Sequence, residues 1–187
     1  MHIFIKMKKK LYQTIEIPEG IEVNLDEDNT LIVKGPEGEN KRTFKILSLD
    51  FDKKDNTLVI GSEKATKVEK KYMNTIVAHI KNMIKGVQKK FEYKLKICFS
   101  HFPMTIDIKE REGTIKNFLG EKFPRKVKIP EKVEVKIEGE FITIISLDKE
   151  LAGQTAANFE KATNIRKRDK RIFQDGIFII EKNGKEI

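Results

Sequence analysis

The sequence predicts an α+β fold of two tandem, duplicated domains, each a small antiparallel sheet packed on one helix. The first observation behind this is a repeat. Ile17-Pro18-Glu19-Gly20-Ile21-Glu22-Val23 recurs as Ile129-Pro130-Glu131-Lys132-Val133-Glu134-Val135, identical at five of seven positions, and recurrence of that kind marks a duplicated unit. The second is the pattern after each copy: an alternating strand, a turn and a second apolar strand, which together read as a β-hairpin. The third is a single stretch of helical periodicity after each hairpin.

In the first copy the alternating positions are Ile21, Val23 and Leu25, the turn is Asp28-Asn29-Thr30, and the return strand is Leu31-Ile32-Val33. Gly35-Pro36-Glu37-Gly38 is a further turn. It lacks the Gly-Lys-Ser/Thr ending of a phosphate-binding loop and carries an acid where phosphate would approach. A second hairpin is expected from Thr43 to Phe51, the turn Lys54-Asp55-Asn56, and Thr57 to Ile60. The period then changes: Val68, Tyr72, Ile76, Ile80 and Ile84 recur every four residues, an amphipathic helix with Gly86 as its expected stop. Residues 1–10 are read as a basic N-terminal extension, with Met7 as an alternative start, residues 11–87 as the first domain and 88–187 as the second.

The second domain is expected to open with strands Phe91 to Phe99, Thr105 to Lys109 and Thr114 to Phe118. The repeated hairpin comes next, with Val133, Val135 and Ile137, the turn Glu138-Gly139-Glu140, and Phe141 to Ile145. Asp148 is a natural N-cap for a helix reaching about Thr163. Leu151, Thr155, Phe159 and Ala162 form its buried stripe, leaving Gln154, Asn158 and Lys161 on a separate polar face. Ile177 to Ile180 is a closing strand.

The composition bounds the function. The chain has 187 residues, a net charge of +9, and is 39% hydrophobic and 36% charged. That is too apolar for a disordered chain and has no apolar run near the roughly 18 residues of a membrane span. A single cysteine, Cys98, excludes an internal disulfide framework and suits the reducing cytoplasm. The three histidines, His2, His79 and His101, are too scattered for a metal site. Cys98 and His101 have no orienting partner nearby in sequence, and Glu110 with Glu112 reads as a hairpin tip. No catalytic set, metal, cofactor or small-molecule substrate is indicated, and the chain is not read as an enzyme.

The excess of cations is the electrostatic footprint of a nucleic-acid partner, although Lys interleaved with Glu also serves solubility or growth at high temperature. Clustering separates the two readings. In Arg166-Lys167-Arg168-Asp169-Lys170-Arg171 five of six residues are cationic, and half of the chain's arginines lie there. The arginine fork matches phosphate in a way that a solubilising lysine does not. Most of the phenylalanines fall on apolar phases and read as core; Phe102, Phe118 and Phe123, each beside a turn, are open to either a core or a base-stacking role.

Four stretches, His101-Phe102-Pro103, Asn117-Phe118-Leu119-Gly120-Glu121-Lys122, Gly153-Gln154-Thr155-Ala156-Ala157-Asn158 and Arg168 through Phe178, resemble in this order the archaeal and eukaryotic branch of the large-subunit ribosomal protein six family. The resemblance covers about Leu11 to Glu181, and the Phe173-Gln174-Asp175-Gly176 stretch is its most specific part. It implies two copies of a small sheet-and-helix domain. It also implies binding to large-subunit ribosomal RNA near the stalk base and the sarcin-ricin region, beside neighbouring ribosomal proteins and where translational GTPases dock.

Carried over by motif, the RNA contacts would be Gln154, Thr155 and Asn158 with Arg166, Lys167, Arg168, Lys170, Arg171 and Gln174; Lys122 and Arg125 are secondary candidates. Phe178 stands where the family usually has tyrosine. The chemistry of the residues agrees, since amide side chains in the first turns of a helix and an arginine loop both suit RNA backbone. The alternative is a tandem-domain protein-interaction scaffold with only non-specific RNA affinity, presenting sheet edges or the acidic tip Asp26-Glu27-Asp28.

Overall fold

Strand alternation and one helical stripe per half set the architecture, which a computed structural model describes for residues 9–26, 29–44, 49–54 and 56–187. The chain divides into two units after Lys89. The first holds β1 (Lys9–Glu16), β2 (Glu22–Leu25), β3 (Thr30–Gly35), β4 (Gly38–Thr43), β5 (Asp50–Lys54), β6 (Thr57–Ala65) and α1 (Lys67–Gln88). Its strands form two antiparallel sheets, β2-β3-β4 and β1-β6-β5. Leu31 and Val33 from β3, Leu58 and Ile60 from β6, and Ile80 and Val87 from α1 are buried together in one core.

The buried face of α1 is Met73, Ile76, Val77, Ile80, Met83, Ile84 and Val87. Val68 and Tyr72, expected on that stripe, are 55% and 48% exposed. The reason is geometric: residues four apart are separated by about 400°, so a strict four-residue series rolls about 40° per step and leaves the packed face within two steps. Gly86 is not the stop either. It is buried within the helix, which ends at a C-cap on Lys89, so the boundary expected after residue 87 falls in the last helical turn. Gly35-Pro36-Glu37-Gly38 is the β3–β4 turn and also a seat for the helix end. Glu37 N donates to Val87 O at 3.1 Å, and a Cβ on Gly35 would lie 2.8 Å from Val87 Cγ2.

Thr66 opens α1 with a capping box: its hydroxyl accepts from Val68 N at 3.3 Å, and its own N–H donates to Glu69 Oε2 at 2.9 Å. Thr66→Ala is expected to cost about 1 kcal/mol, read as a lower urea midpoint with unchanged slope.

Strand β4 escapes the sequence reading because it is polar, Asn40 being the one buried residue of Gly38–Thr43; β1, which buries Ile15 and sets Leu11 against the core, is held by its pairing with β6. Lys9 and Lys10, assigned to the extension, belong to β1. The strand expected from Thr43 to Phe51 is the end of β4 and the start of β5; residues 45–48 between them, like Glu27 and Asp28 of the acidic tip and Asp55 of the second turn, lie outside the described residues.

The second unit holds β7 (Phe91–Cys98), β8 (Thr105–Lys109), β9 (Glu112–Lys116), a 3-10 turn (Phe118–Gly120), β10 (Arg125–Lys128), β11 (Val133–Glu138), β12 (Phe141–Ser146), α2 (Lys149–Ala162), β13 (Gly176–Lys182) and β14 (Lys185–Glu186). β7 lies at the centre of a five-stranded sheet ordered β11-β12-β7-β13-β14, and β10-β9-β8 forms a second sheet. The duplicated α+β organisation is as the sequence predicts; within each unit the strands divide into two sheets. α2 packs on strands of both sheets. Its buried face is Ala152, Thr155, Ala156 and Phe159, with Leu151 and Ala162 half-buried at the margins. β9 carries Gly113 beneath Phe159, where a Cβ would come within 3.0 Å of the ring.

Candidate nucleic-acid interface

Asp148 caps α2 by accepting from Glu150 N at 2.8 Å, which fixes where the helix faces point. Gln154 is exposed and donates from Nε2 to Asn158 Oδ1 at 2.8 Å, forming an i, i+4 amide pair on the outer face. Thr155, expected among the contacts, is fully buried and its hydroxyl donates to Leu151 O at 2.8 Å. It is a core residue and leaves the set. Gln154 and Asn158 also lie beyond the first turn of a helix that starts at Lys149, so the positive end of the dipole does not act through them. The cationic run instead follows the negative, C-terminal end, where cations are favoured.

Two buried anchors fix that run. Thr163, 3% exposed, accepts from Ile177 N at 2.9 Å while donating to Glu160 O at 3.2 Å, so the end of α2 is tied to β13. Asp175, 6% exposed, accepts from both Ser100 N at 3.1 Å and Ser100 Oγ at 2.9 Å, tying the far end to the segment after β7. The loop between therefore leaves and returns to ordered structure on fixed points.

Within it Arg166, Lys167, Arg168, Lys170 and Arg171 are all exposed. Asp169 makes the local turn: its carboxylate accepts from Arg171 N at 2.9 Å and pairs with the Arg171 guanidinium at 2.8 Å, and Phe173 N donates to Asp169 O at 3.0 Å. Hydrogen bonds from Arg171 hold the Asp169 carboxyl below its ordinary range. The Arg168 guanidinium lies 4.7 Å from the centroid of Phe173, and Gln174 Nε2 donates to Arg171 O at 3.3 Å.

The secondary candidates part company. Lys122 is exposed, whereas the Arg125 guanidinium is committed inside the unit. It donates to Glu121 Oε2 at 2.8 Å, to Ala162 O at 2.6 Å and to Asn164 O at 3.3 Å, and it covers the Phe118 ring at 4.3 Å. Arg125 is thus a bracket that joins the segment after Gly120 to the start of the basic loop. Phe118 is 1% exposed and belongs to the core; Phe102 and Phe123, at 40% and 86%, are accessible.

The motifs His101-Phe102-Pro103 and Asn117-Phe118-Leu119-Gly120 meet in space. Asn117 Nδ2 donates to Pro103 O at 3.0 Å, and Gly120 lies against the Phe102 ring. Asn117 and Leu119 both have positive φ, 58° and 51°; in Leu119 that is a strained backbone held by its surroundings. His101 packs edge-on to Phe102, centroids 4.8 Å apart, and His79 is half-buried beside Phe44. Among the described residues no three metal-ligating side chains gather.

Hydrogen bonding to Arg125, with help from its charge and that of Arg168, holds the Glu121 carboxyl below its usual range. A carboxylate with a depressed folded value stabilises above its unfolded pKa and loses that contribution as pH falls through the folded one. The drop in melting temperature between about pH 6 and about pH 3 is therefore expected to be smaller in Glu121→Gln than in the parent chain.

Neither Arg125 nor the anchors Thr163 and Asp175 were legible as such from sequence. The one available signal was that Asp175 lies inside the most specific motif, which marks the position without giving its partner.

A tandem α+β chain whose second unit presents a pinned arginine loop beside an amide-bearing helix face has the build of a nucleic-acid-binding structural protein. The family model described as Ribosomal protein L6 matches residues 17–90 and 102–176. Among curated relatives, the large ribosomal subunit protein uL6 of Methanobrevibacter smithii is 45% identical over 170 residues, covering 91% of this chain and 95% of that protein. The protein of the same name from Methanosarcina mazei is 42% identical over 176 residues, covering 94% and 99%. The chain belongs to the ribosomal protein L6 family.

Proposed function

We propose that this chain is a structural constituent of the large ribosomal subunit in the cytoplasm and binds ribosomal RNA through its second unit. The observation that carries the reading is the loop of five exposed cations anchored at Thr163 and Asp175, in a chain that matches its large-subunit relatives along nearly the full length of both. Lys122, Gln154, Asn158 and Gln174 extend that surface. Folded RNA is recognised largely through shape, phosphates and 2′-hydroxyls, and fixed guanidinium groups beside amides supply both charge and directed hydrogen bonds. The protein is assigned no catalytic step.

The finer form of the proposal places the contact near the stalk base and the sarcin-ricin region, with other ribosomal proteins as neighbours and translational GTPases docking close by. Chemical footprinting of large-subunit ribosomal RNA with the full chain tests this. Protected nucleotides are expected in those two regions, and protection confined to other helices would remove the finer placement.

A further inference from the structure

The second unit carries a cavity that shares Lys170 and Gln174 with the surface described above and adds Phe99, Phe178 and Lys161 to it. It has a volume of about 760 Å³ and lies between the end of α2, the basic loop and the adjoining ends of β7 and β13, within the size range of small-molecule sites. Three of its walls are aromatic: Phe99 and Phe178, 40% and 42% exposed, and Phe173, which already holds the Arg168 guanidinium on its ring. Lys161 and Lys170 belong to the same lining. The floor is rigid because Asp175 is bound to Ser100 and Thr163 to Ile177.

Flat aromatic walls next to ammonium groups match a nucleotide, whose base offers a π-face and whose phosphate seeks a cation. An apolar peptide would gain nothing from the lysines, and a phosphate alone nothing from the rings. We infer that the cavity receives one unstacked nucleobase of the bound RNA, with Phe178 as a stacking residue and Lys161 and Lys170 holding the flanking phosphates. The inference rests on the RNA-binding reading and adds a base-level contact to it. Stacking of this kind tolerates different bases, because every base has a π-face, so the cavity selects for an unpaired nucleotide rather than for a sequence.

The chain carries its own reporter. Cys98, its single cysteine, lines the cavity and is half-buried. Alkylation of Cys98 by iodoacetamide is followed in the full chain alone, with saturating large-subunit ribosomal RNA, and with inorganic polyphosphate. The RNA is expected to slow the reaction at least about tenfold and polyphosphate to leave it nearly unchanged, since only the RNA brings a base. In parallel, Phe178→Leu is expected to weaken RNA binding roughly tenfold without altering its salt slope, and Phe178→Tyr to restore it, as loss of one stacked base is non-electrostatic.

Should Phe178→Leu melt early, the alkylation of the parent chain still decides. RNA that binds with its normal salt slope yet leaves Cys98 equally reactive would overturn the inference and leave the RNA reading standing. Equal protection by polyphosphate, or protection that requires a neighbouring large-subunit protein instead of RNA, would also overturn it. Absence of salt-dependent RNA binding would remove both.

Discussion

Replacing Arg166, Arg168 and Arg171 together by Ala is expected to flatten the dependence of RNA affinity on salt by about two to three units of log affinity per log salt. Each phosphate neutralised contributes roughly 0.7 to 0.9 to that slope. The three guanidinium groups are exposed, and the ends of their loop are fixed by Thr163 and Asp175 rather than by the arginines. The variant should therefore melt close to the parent chain while binding far more weakly at low salt.

The three are not equivalent. Arg171 is already paired with Asp169 at 2.8 Å, although its side chain is 89% exposed, so it must share its fork to reach a phosphate. Arg168 is pre-positioned on Phe173. Single substitutions should accordingly rank Arg168→Ala above Arg171→Ala in lost affinity, measured by filter binding at several salt concentrations. A triple variant with an unchanged slope would take the loop out of the interface.

Phe159→Ala is expected to have the largest effect on stability, about 3–5 kcal/mol. Its ring is fully buried on α2 and fills the space above Gly113 of β9, on the side where the helix meets the second sheet. Truncation removes the transfer energy of the ring and leaves a void that two sheets and a helix cannot close together. The converse change is also costly: at Gly113 a Cβ would press on Phe159 at 3.0 and 3.1 Å, so Gly113→Ala should lose about 1–3 kcal/mol through overpacking. Urea denaturation of the full chain, monitored by circular dichroism, should show an early transition for Phe159→Ala and an intermediate one for Gly113→Ala. Equal stability of Phe159→Ala and the parent would contradict the assignment of this ring to the core between helix and sheets.

The duplicated fold was legible because its signals are local. Apolar alternation at Val133 and Val135, the N-cap Asp148 and the spacing of α2 all lie within a few residues of what they specify. Polar strands such as β4 were not, since Gly38–Thr43 is held as a strand by pairing with β3 and not by its own pattern. The stripe of α1 was legible only from Met73 onward, because four-residue spacing drifts against a 3.6-residue turn.

At the candidate interface the exposed cations were legible as a run of charge, and Thr155 was legible as buried from its phase even though its motif suggested contact. Arg125 illustrates the limit. It is written in sequence as one more cation, yet its partners are Glu121 four residues away and the carbonyls of Ala162 and Asn164 on the far side of the unit. A guanidinium turned inward and one turned outward look the same until the long-range contacts exist.

The most direct test of the central claim is a salt titration of binding between the full chain and large-subunit ribosomal RNA from its own cell, in the presence of excess bulk RNA. Tight binding that survives the competitor and falls steeply with salt is the expected result. Binding that the competitor abolishes, tracking charge alone, would contradict the claim and reduce the +9 to surface chemistry.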